Sequence, residues 1–367
     1  MQPVRILFLD YTNGIGLGGG QRSLALLIRH LPTDRYQPLL ACPPGEQLRD
    51  LVSARVPVLD LALPSSFASA SRFSGSVFSY ARGLMASTSA VDALRRLLRE
   101  QRVDIVHANN FKMHVLAAAA SAGKNIPVLW HVRDIFPERN AGLLRIAGRA
   151  AAKVLTVSRA VAAQFGSKPN VSVLYNAVEM PVEADERDTK DWPVIGYVGR
   201  LDPGKGLDTL YKSFFSLLEK YPQARLLIAG DGPERRSIPA HPAIEVMGFQ
   251  QDVSRVWRQM DICVQPSSQP DSFPRSVIEA MSWGKPVVGA SIGGIPEAIE
   301  ENTTGLLFQP GDPASLRARL ELLLRYPGRA RAMGAAGRQR CEKLFSIPAQ
   351  IEHLARIYEN TYALCHS

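Results

Sequence analysis

The sequence predicts an α/β protein made of two Rossmann-like, doubly wound domains. Short apolar runs typical of buried strands alternate with segments of helical periodicity, and this alternation is typical of parallel sheets covered by helices on both faces. The pattern stops at a polar, acidic segment, residues 179–192, and then starts again. A length of 367 residues suits two domains of ordinary size. We therefore expect a first domain at residues 1–178 and a second at residues 179–349.

The first domain begins with a strand and continues in alternating order. Its predicted strands are near-continuous apolar runs, as expected of strands buried on both faces: Val4–Leu9, Pro38–Cys42, Ile105–His107, Val128–Val132, Lys153–Ser158 and Val171–Tyr175. Its predicted helices have apolar residues at helical spacing: Gln21–Leu31, Val91–Glu100 and Met113–Ala122.

The second domain repeats this order. Its predicted strands are Val194–Val198, Arg225–Ala229, Ile244–Met247, Ile262–Gln265 and a run that starts at Val287. Its predicted helices are Leu207–Lys220 and a shorter one from about Pro274 to Trp283, with Gly284 as a stop. Open α/β sheets bind ligands at the carboxyl ends of their strands, so we expect functional residues in the loops that follow strands.

The composition excludes several classes of protein. The four cysteines are far apart and form no C-x-x-C pair, which argues against zinc ribbons and redox motifs. Dispersed cysteines favour a reducing compartment, so we expect a cytoplasmic protein. The first residues do not resemble a signal peptide, and no apolar run is long enough to span a bilayer.

The net charge of +9 comes from the first half of the chain, since residues 1–180 carry +10 and the remainder −1. Six arginines are interleaved there with aromatic and apolar residues: Arg72, Arg82, Arg95, Arg96, Arg99 and Arg102. Such a segment suits peripheral contact with an anionic membrane or an acidic acceptor, and it equally suits a solvated helical face. No nucleic-acid recognition module is found, so nucleic acid is not an expected partner.

The most informative segment, residues 266–289, joins a loop, a helix and a strand. Asp271 and Glu279 lie eight positions apart, and the predicted helix begins between them. A helix N-terminus presents unpaired N–H groups that attract anions, and nearby carboxylates can bind hydroxyl groups. A phosphate flanked by sugars would fit this arrangement. The alternative is an ordinary surface loop before a capped helix.

A second segment, residues 199–206 with the sequence GRLDPGKG, follows the first strand of the second domain. Its two cations, Arg200 and Lys205, are five positions apart on a glycine-rich loop and can converge on one polyanion. A β-turn with solvated cations is the alternative.

A glycine-rich loop follows the first strand of the chain. It contains G-x-G-x-x-G from Gly14 to Gly19, but the next strand ends at Cys42 with no acid after it. A dinucleotide site would need that acid, so NAD or FAD binding is not expected. Bare backbone at Gly18–Gly20 would allow a ligand to approach closely.

Together these segments closely resemble the donor-site signatures of GT-B glycosyltransferases of family 4, the glycosyl transferases group 1. The matching motifs are an acid followed by Glu-Ala-Met at 279–281, Gly-x-Pro-Val-Val at 284–288, and G-R-L-x-x-x-K-G at 199–206. Asp271 stands where Glu is more usual in the family. The resemblance implies two domains that face each other across a cleft, the first on the acceptor side and the second binding the nucleotide sugar, with a C-terminal helix (350–367) that rejoins the first domain.

The resemblance also implies roles for single residues. Asp271 would bind hydroxyls of the transferred sugar and Glu279 the ribose, while Arg200 and Lys205 would neutralise the diphosphate. His131, at the end of a strand of the first domain, would bond to the reacting sugar or to the leaving diphosphate. Further donor contacts are expected at Gly18, Gly19, Gly20, Gly230, Phe249, Ser272, Phe273, Pro274, Ser276 and Val277.

The implied reaction is hexosyl transfer from a nucleotide-diphosphate sugar to an acceptor hydroxyl, with retention at the anomeric carbon. No cofactor and no bound metal are expected, and the sequence has no Asp-x-Asp metal motif. A glycan or lipid-linked acceptor, as in polysaccharide biosynthesis, would suit the basic first domain. Asp271 in place of Glu keeps a non-catalytic nucleotide-sugar-binding subunit open, and a GT-B sugar-nucleotide epimerase is a further alternative. His107, also at a family position, has either an acceptor-side or a structural role.

Overall fold

The computed structural model describes residues 2–12, 17–64, 88–168, 170–182 and 193–366. The chain divides into two compact units. The first is formed by Met1–Ala177 with Gln350–Ser367, and the second by Val178–Ala349.

The first unit contains a parallel sheet. Its strands are β1 (Val4–Leu9), β2 (Tyr36–Cys42), β3 (Val58–Asp60), β4 (Ile105–Ala108), β5 (Val128–Val132), β6 (Lys153–Thr156) and β7 (Val171–Val173). They pair in the order β3-β2-β1-β4-β5-β6-β7. The strand order reverses between β1 and β4, and such a switch point is where open α/β sheets bind ligands.

Helices flank this sheet, and the aliphatic strands between them form the core. The helices are α1 (Gly19–His30), α2 (Leu48–Val52), α3 (Thr88–Glu100), α4 (Phe111–Ser121), α5 (Ala141–Ala147) and α6 (Arg159–Ala162). Strand β1 from Ile6 to Leu9 is completely buried, as a strand covered on both faces must be.

The second unit repeats the architecture with a six-stranded parallel sheet. Its strands are β8 (Val194–Val198), β9 (Arg225–Ala229), β10 (Ile244–Gly248), β11 (Ile262–Gln265), β12 (Val287–Ala290) and β13 (Gly305–Phe308). The order is β10-β9-β8-β11-β12-β13, so the switch point lies between β8 and β11. Its helices are α7 (Leu207–Leu218), α8 (Ser254–Gln259), α9 (Arg275–Ser282), α10 (Ile295–Ala298), α11 (Pro313–Arg325) and α12 (Pro327–Leu344).

The last helix, α13 (Ile347–His366), packs with its C-terminal part in the first unit. Leu354 and Tyr358 are completely buried there. The hydroxyl of Tyr36, at the start of β2, donates a hydrogen bond to the carbonyl of Ala355 at 3.2 Å. None of the helices in the described part of the chain is both long and apolar enough to cross a membrane.

The predicted fold class is confirmed, and several boundaries differ by a few residues. The strand expected to end at Ser158 ends at Thr156, because the Ser158 hydroxyl caps α6 by accepting a hydrogen bond from the N–H of Val161 at 3.1 Å. Elements without a sequence prediction are β3, β13, α2, α5, α6, α8 and α10–α12. Three predicted features lie wholly or partly outside the described residues: Gly14 of the glycine loop, Arg72 and Arg82 of the basic segment, and the end of the linker, 183–192.

Candidate functional site

The loop after β8 is held in place by hydrogen bonds to its backbone at the switch point of the second sheet. The hydroxyl of Tyr197 donates to the carbonyl of Arg200 at 2.7 Å, and the N–H of Leu201 donates to the carbonyl of Asp231 at 2.9 Å. Burial raises the pKa of Tyr197, with nearby carboxylates adding to the effect, so its hydroxyl remains a donor. The backbone of the loop that carries Arg200 and Lys205 is therefore fixed by these hydrogen bonds.

The same loop is joined to the one that follows β11. The N–H groups of Ser268 and Gln269 donate to the carbonyl of Gly204 at 3.0 and 3.1 Å. Gly206 has a φ of +73°, and a Cβ there would lie 1.9 Å from the carbonyl oxygen of Pro266. Only glycine permits this approach, which fixes the cationic loop against the loop that leads to Asp271.

Lys205 and Asp271 form an ion pair. Lys205 Nζ lies 2.5 Å from Asp271 Oδ2, and the side chains are 30% and 10% exposed. The backbone of Asp271 is held as well, because its carbonyl accepts a hydrogen bond from the N–H of Gly294 at 2.8 Å. The structure thus brings together two residues that the sequence places 66 positions apart.

Arg200 lies on the same loop but is largely in solvent, since its side chain is 63% exposed. Its Nε donates to Asp202 Oδ2 at 2.6 Å. An exposed pair of this kind contributes little to stability, so the guanidinium can exchange this partner for a ligand at small cost.

The N-terminus of α9 lies just beyond Asp271. Its N-cap residue Pro274 provides no side-chain hydrogen bond to the first turn. Phe273 and Val277 direct their side chains into the core, where Phe273 packs edge-on against Phe345 with ring centroids 5.4 Å apart. These two residues can therefore contact a ligand through their backbone only.

Several polar side chains of α9 have defined partners. Arg275 donates to Glu279 Oε1 from Nη2 at 2.8 Å and from Nε at 3.1 Å. Ser276 donates to Gln265 Oε1 at 2.9 Å, and Gln265 Nε2 donates in turn to Ser267 at 3.0 Å. Glu279 is thus oriented by its own helix, one turn from the end that faces the loops.

Gly230 and Phe249 follow β9 and β10. Gly230 has a φ of +150°, and a Cβ there would lie 1.8 Å from the carbonyl oxygen of Gly199, so this glycine permits close packing of two loops. The Phe249 side chain is 63% exposed and is available for stacking. Ser272 lies between Asp271 and the buried Phe273 and is partly exposed.

In the first unit the glycine loop leads into α1. Gly18 is the N-cap, and its N–H donates to the side chain of Gln21 at 3.2 Å; Gly19 begins the helix. A Cβ at Gly20 would lie 3.0 Å from Arg133 Cδ. The first turn of α1 therefore lies against an arginine that follows β5.

Arg133 is the centre of a polar network at the carboxyl edge of this sheet. Its Nε donates to Asn109 at 2.5 Å, its Nη1 to Asn176 at 2.8 Å, and its Nη2 lies 3.3 Å from His131 Nδ1. The amides of Asn109 and Asn110 donate to Asp10 Oδ1 at 2.9 and 3.0 Å. Burial raises the pKa of Asp10, partly offset by these two amides and by Arg133.

Three buried histidines lie beside this network. Burial lowers the pKa of His107 and of His114 to about 3, and it lowers the pKa of His131 well below its usual value. His107 uses both ring nitrogens within the protein, Nδ1 towards Tyr358 at 2.7 Å and Nε2 towards His131 at 3.0 Å. His107 therefore has no ring nitrogen left for a ligand.

The sequence prediction named residues at both switch points but missed most of their partners. Asp10, Asn109 and Arg133 follow β1, β4 and β5, and the rule that ligands bind at strand ends would have selected them. Arg275 is four positions before Glu279, a spacing that favours an ion pair on a helix. Tyr358 had no signal, because its partner is 251 residues away.

Two family models match the chain, one described as Glycosyltransferase Family 4 over residues 17–180 and one described as Glycosyl transferases group 1 over residues 192–326. A sulfoquinovosyl transferase of Arabidopsis thaliana is 30% identical over 65% of this chain and 53% of its own length. A D-inositol 3-phosphate glycosyltransferase of Segniliparus rotundus is 32% identical over 39% of this chain and 35% of its own. The chain thus spans about half the length of these relatives or less.

Solved structures share the fold over nearly the whole chain. Anabaena HepE in complex with UDP has a TM-score of 0.79 at 21% identity and covers 97% of this chain and 100% of its own. The lipopolysaccharide outer core galactosyltransferase WaaB has a TM-score of 0.71 at 18% identity, with 97% and 100% covered. At such identities the likeness concerns the fold alone.

Proposed function

This chain belongs to glycosyltransferase family 4, the glycosyl transferases group 1, and we propose that it transfers a sugar from a nucleotide-diphosphate sugar to an acceptor hydroxyl. The observation that carries the proposal is the arrangement at the switch point of the second sheet. There Lys205, Asp271 and the N-terminus of α9 lie on loops locked to each other through Gly204 and Gly206.

The diphosphate of the donor binds to Arg200, Lys205 and the first-turn amides of α9. Arg200 offers a planar fork and Lys205 a point charge, and the uncapped helix end adds N–H donors. These groups stabilise the negative charge that develops on the diphosphate as it leaves, which is the part of the reaction that most needs a counter-charge.

The carboxylates act as hydroxyl clamps. A carboxylate has two oxygens, and each can accept more than one hydrogen bond. The ion pairs with Lys205 and Arg275 involve Oδ2 of Asp271 and Oε1 of Glu279, so both carboxylates keep further capacity to accept hydrogen bonds. Asp271 binds hydroxyls of the transferred sugar, and Glu279 binds the ribose. Ser272, Phe273, Pro274, Ser276 and Val277 contribute backbone or hydroxyl contacts, with Gly230 and Phe249 beside the nucleotide.

The transfer proceeds with retention, and the leaving phosphate accepts the proton of the acceptor hydroxyl. The resemblance to the family supports this, and no metal is assigned a role. His131 contributes a hydrogen bond to a substrate, and the Gly18–Gly20 loop provides bare backbone for close approach. Determining the anomeric configuration of the product by NMR tests the stereochemistry, and an inverted product would contradict it.

The acceptor is a glycan or a lipid-linked molecule at an anionic membrane, as in polysaccharide biosynthesis. The arginines Arg96, Arg99 and Arg102 are exposed on and just after α3 and support such a contact. The lipopolysaccharide galactosyltransferase WaaB shares the fold, and a capsular polysaccharide glycosyltransferase of Staphylococcus aureus is 27% identical over 46% of this chain. Co-sedimentation with vesicles of anionic and of neutral lipid tests the contact, and equal binding to both would contradict it.

The experiment that tests the main proposal is a donor screen followed by a transfer assay. Binding of a UDP-, GDP- or ADP-sugar to the folded protein raises its melting temperature, and the rise increases with affinity and concentration. We expect sugar nucleotides with one of these nucleotide bases to stabilise the protein. The same donor should be consumed when an acceptor is present. Stabilisation without consumption would favour the non-catalytic subunit, and a changed sugar nucleotide without acceptor would favour the epimerase.

A further inference from the structure

A buried chain of hydrogen bonds connects α13 to His131 within the first unit. Tyr358 Oη lies 2.7 Å from His107 Nδ1, and His107 Nε2 lies 3.0 Å from His131 Nδ1. All three side chains are at most 1% exposed. This series of hydrogen bonds ends at His131 Nε2, a buried atom without a hydrogen-bond partner among the described residues.

Both imidazoles are neutral near pH 7. Burial lowers the pKa of His107 to about 3 and that of His131 well below its usual value, and the Arg133 charge adds to both effects. A neutral imidazole carries a single N–H, so one nitrogen of each ring donates and the other accepts. Only two proton arrangements then satisfy the contact between the rings.

In the first arrangement His107 Nε2–H donates to His131 Nδ1, Tyr358 donates to His107 Nδ1, and His131 carries its proton on Nε2. In the second every proton is reversed: His131 Nδ1–H donates to His107 Nε2, His107 Nδ1–H donates to Tyr358, and His131 Nε2 is bare. The two arrangements give His131 opposite chemistry towards a ligand, a donor in one case and an acceptor in the other.

Arg133 and Tyr358 select between them. Arg133 Nη2 lies 3.3 Å from His131 Nδ1, and a guanidinium can only donate, so Nδ1 must present a lone pair. The second arrangement would set the Nδ1–H against this cation. It would also leave the buried Tyr358 hydroxyl proton without an acceptor, because among the described residues that hydroxyl bonds to His107 alone.

We propose that Tyr358 and His107 are positioning residues that hold His131 in its Nε2–H tautomer, so that His131 donates a hydrogen bond to a substrate oxygen and does not act as a base. The substrate, with its sugar hydroxyl and phosphate oxygens, rests on the proposed function; the tautomer rests on the hydrogen-bond geometry around two buried, neutral imidazoles. The C-terminal helix thus controls a residue far from it in sequence.

The tautomer can be read directly by ¹⁵N NMR of the full chain labelled at histidine, with His131→Asn used to assign the signals. We expect His131 to show a protonated Nε2 and a bare Nδ1, and the reverse pattern would overturn the proposal. This measurement needs no catalysis. Absence of transfer with every nucleotide sugar would therefore refute the proposed function while leaving the tautomer assignment intact.

Tyr358→Phe tests the positioning role, and Tyr36→Phe is its matched control. Both remove one buried hydroxyl, that of Tyr358 on α13 and that of Tyr36 in contact with α13, and the two rings are 5.6 Å apart. Tyr36, however, bonds to Ala355 and not to a histidine. We expect Tyr358→Phe to give mixed His131 tautomers and to lower kcat roughly threefold to tenfold, with KM for the donor nearly unchanged.

Tyr36→Phe should leave the tautomer and kcat as in the unmodified protein. Equal effects of the two variants on kcat would indicate a merely structural role for the Tyr358 hydroxyl and would overturn the proposal. Unchanged His131 signals in Tyr358→Phe would do the same. If Tyr358→Phe does not fold, the tautomer of the unmodified protein still decides whether His131 is a hydrogen-bond donor at Nε2.

Discussion

The two sheets place different kinds of polar group at their switch points. In the second unit Arg200, Lys205, Asp271 and Glu279 are charged and at least partly exposed. In the first unit Asp10, Asn109, His107 and His131 are buried, and the histidines are neutral because burial lowers their pKa. Desolvating a charge costs far more than desolvating a hydrogen-bonded neutral group. The difference teaches that one fold can place exposed charged side chains at the edge of one sheet and buried neutral imidazoles at the edge of another.

The largest effect should come from removing a charge in the second unit. We expect Lys205→Ala to lower turnover about 10²–10³-fold, because it removes a cation from the leaving diphosphate and leaves Asp271 without its ion-pair partner. Arg200→Ala should act in the same direction. The exposed Lys212, which pairs with Asp208 on α7, is the control, and Lys212→Ala should retain full activity. Normal transfer by Lys205→Ala would contradict the proposal that charged residues of the second unit bind the leaving diphosphate.

Alanine substitutions at Gly206 and at Gly20 should lower the free energy of unfolding by different amounts. Gly206→Ala places a Cβ against the Pro266 carbonyl at a positive φ, and we expect a loss of roughly 2–3 kcal/mol in the free energy of unfolding. Gly20→Ala meets only the Arg133 side chain at 3.0 Å, which can shift, so it should stay within about 1 kcal/mol. Chemical denaturation measures both losses, and equal values would show that the two glycine positions are equally constrained.

Acid should destabilise the first unit through its histidines. The pKa of His107 and of His114 is about 3 in the folded chain and ordinarily about 6.5, so the unfolded state takes up protons first as the pH falls. Their contribution to stability is complete above pH 6.5 and decreases from there towards pH 3, by up to about 1.4 kcal/mol per histidine and pH unit.

Hydrogen exchange, corrected for the intrinsic rate, measures the protection of backbone amides in each unit separately. We expect protection of β4 and β5 to fall between pH 7 and pH 5, and His114→Gln should make this dependence shallower. Protection that does not change with pH in β4 and β5 would contradict the assignment of neutral buried histidines.

The smallest effect should be on nucleotide binding. Glu279→Gln keeps the shape of the side chain but weakens both the pair with Arg275 and the acceptor for the ribose, so we expect KM for the donor to rise about threefold to tenfold with little change in kcat. Glu321→Gln, on the exposed α11 pair with Lys220, is the control and should leave KM unchanged. A loss confined to kcat would mean that Glu279 acts in the chemical step.

Much of the fold could be predicted from the sequence because buried parallel strands are continuous apolar runs. The bounds of β1, β5, β8, β9 and β11 agree with the prediction to the residue. Short or amphipathic elements such as β3 and α12 were missed, since an edge strand of three residues carries little pattern. The charged residues of the second switch point lie in ordered motifs, and their assigned roles remain predictions.

The sequence by itself determined the fold class, the doubling of the sheet and the identity of the cationic loop and the α9 segment, because these depend on spacing within short stretches of chain. Only the tertiary structure decided that Lys205 pairs with Asp271 and that Gly206 allows two loops to pack closely. It also decided that His107 and Arg133 contact His131, with Tyr358 behind His107. These contacts join residues up to 251 positions apart. Their geometry depends on how strands and helices pack, and local sequence patterns carry no record of it.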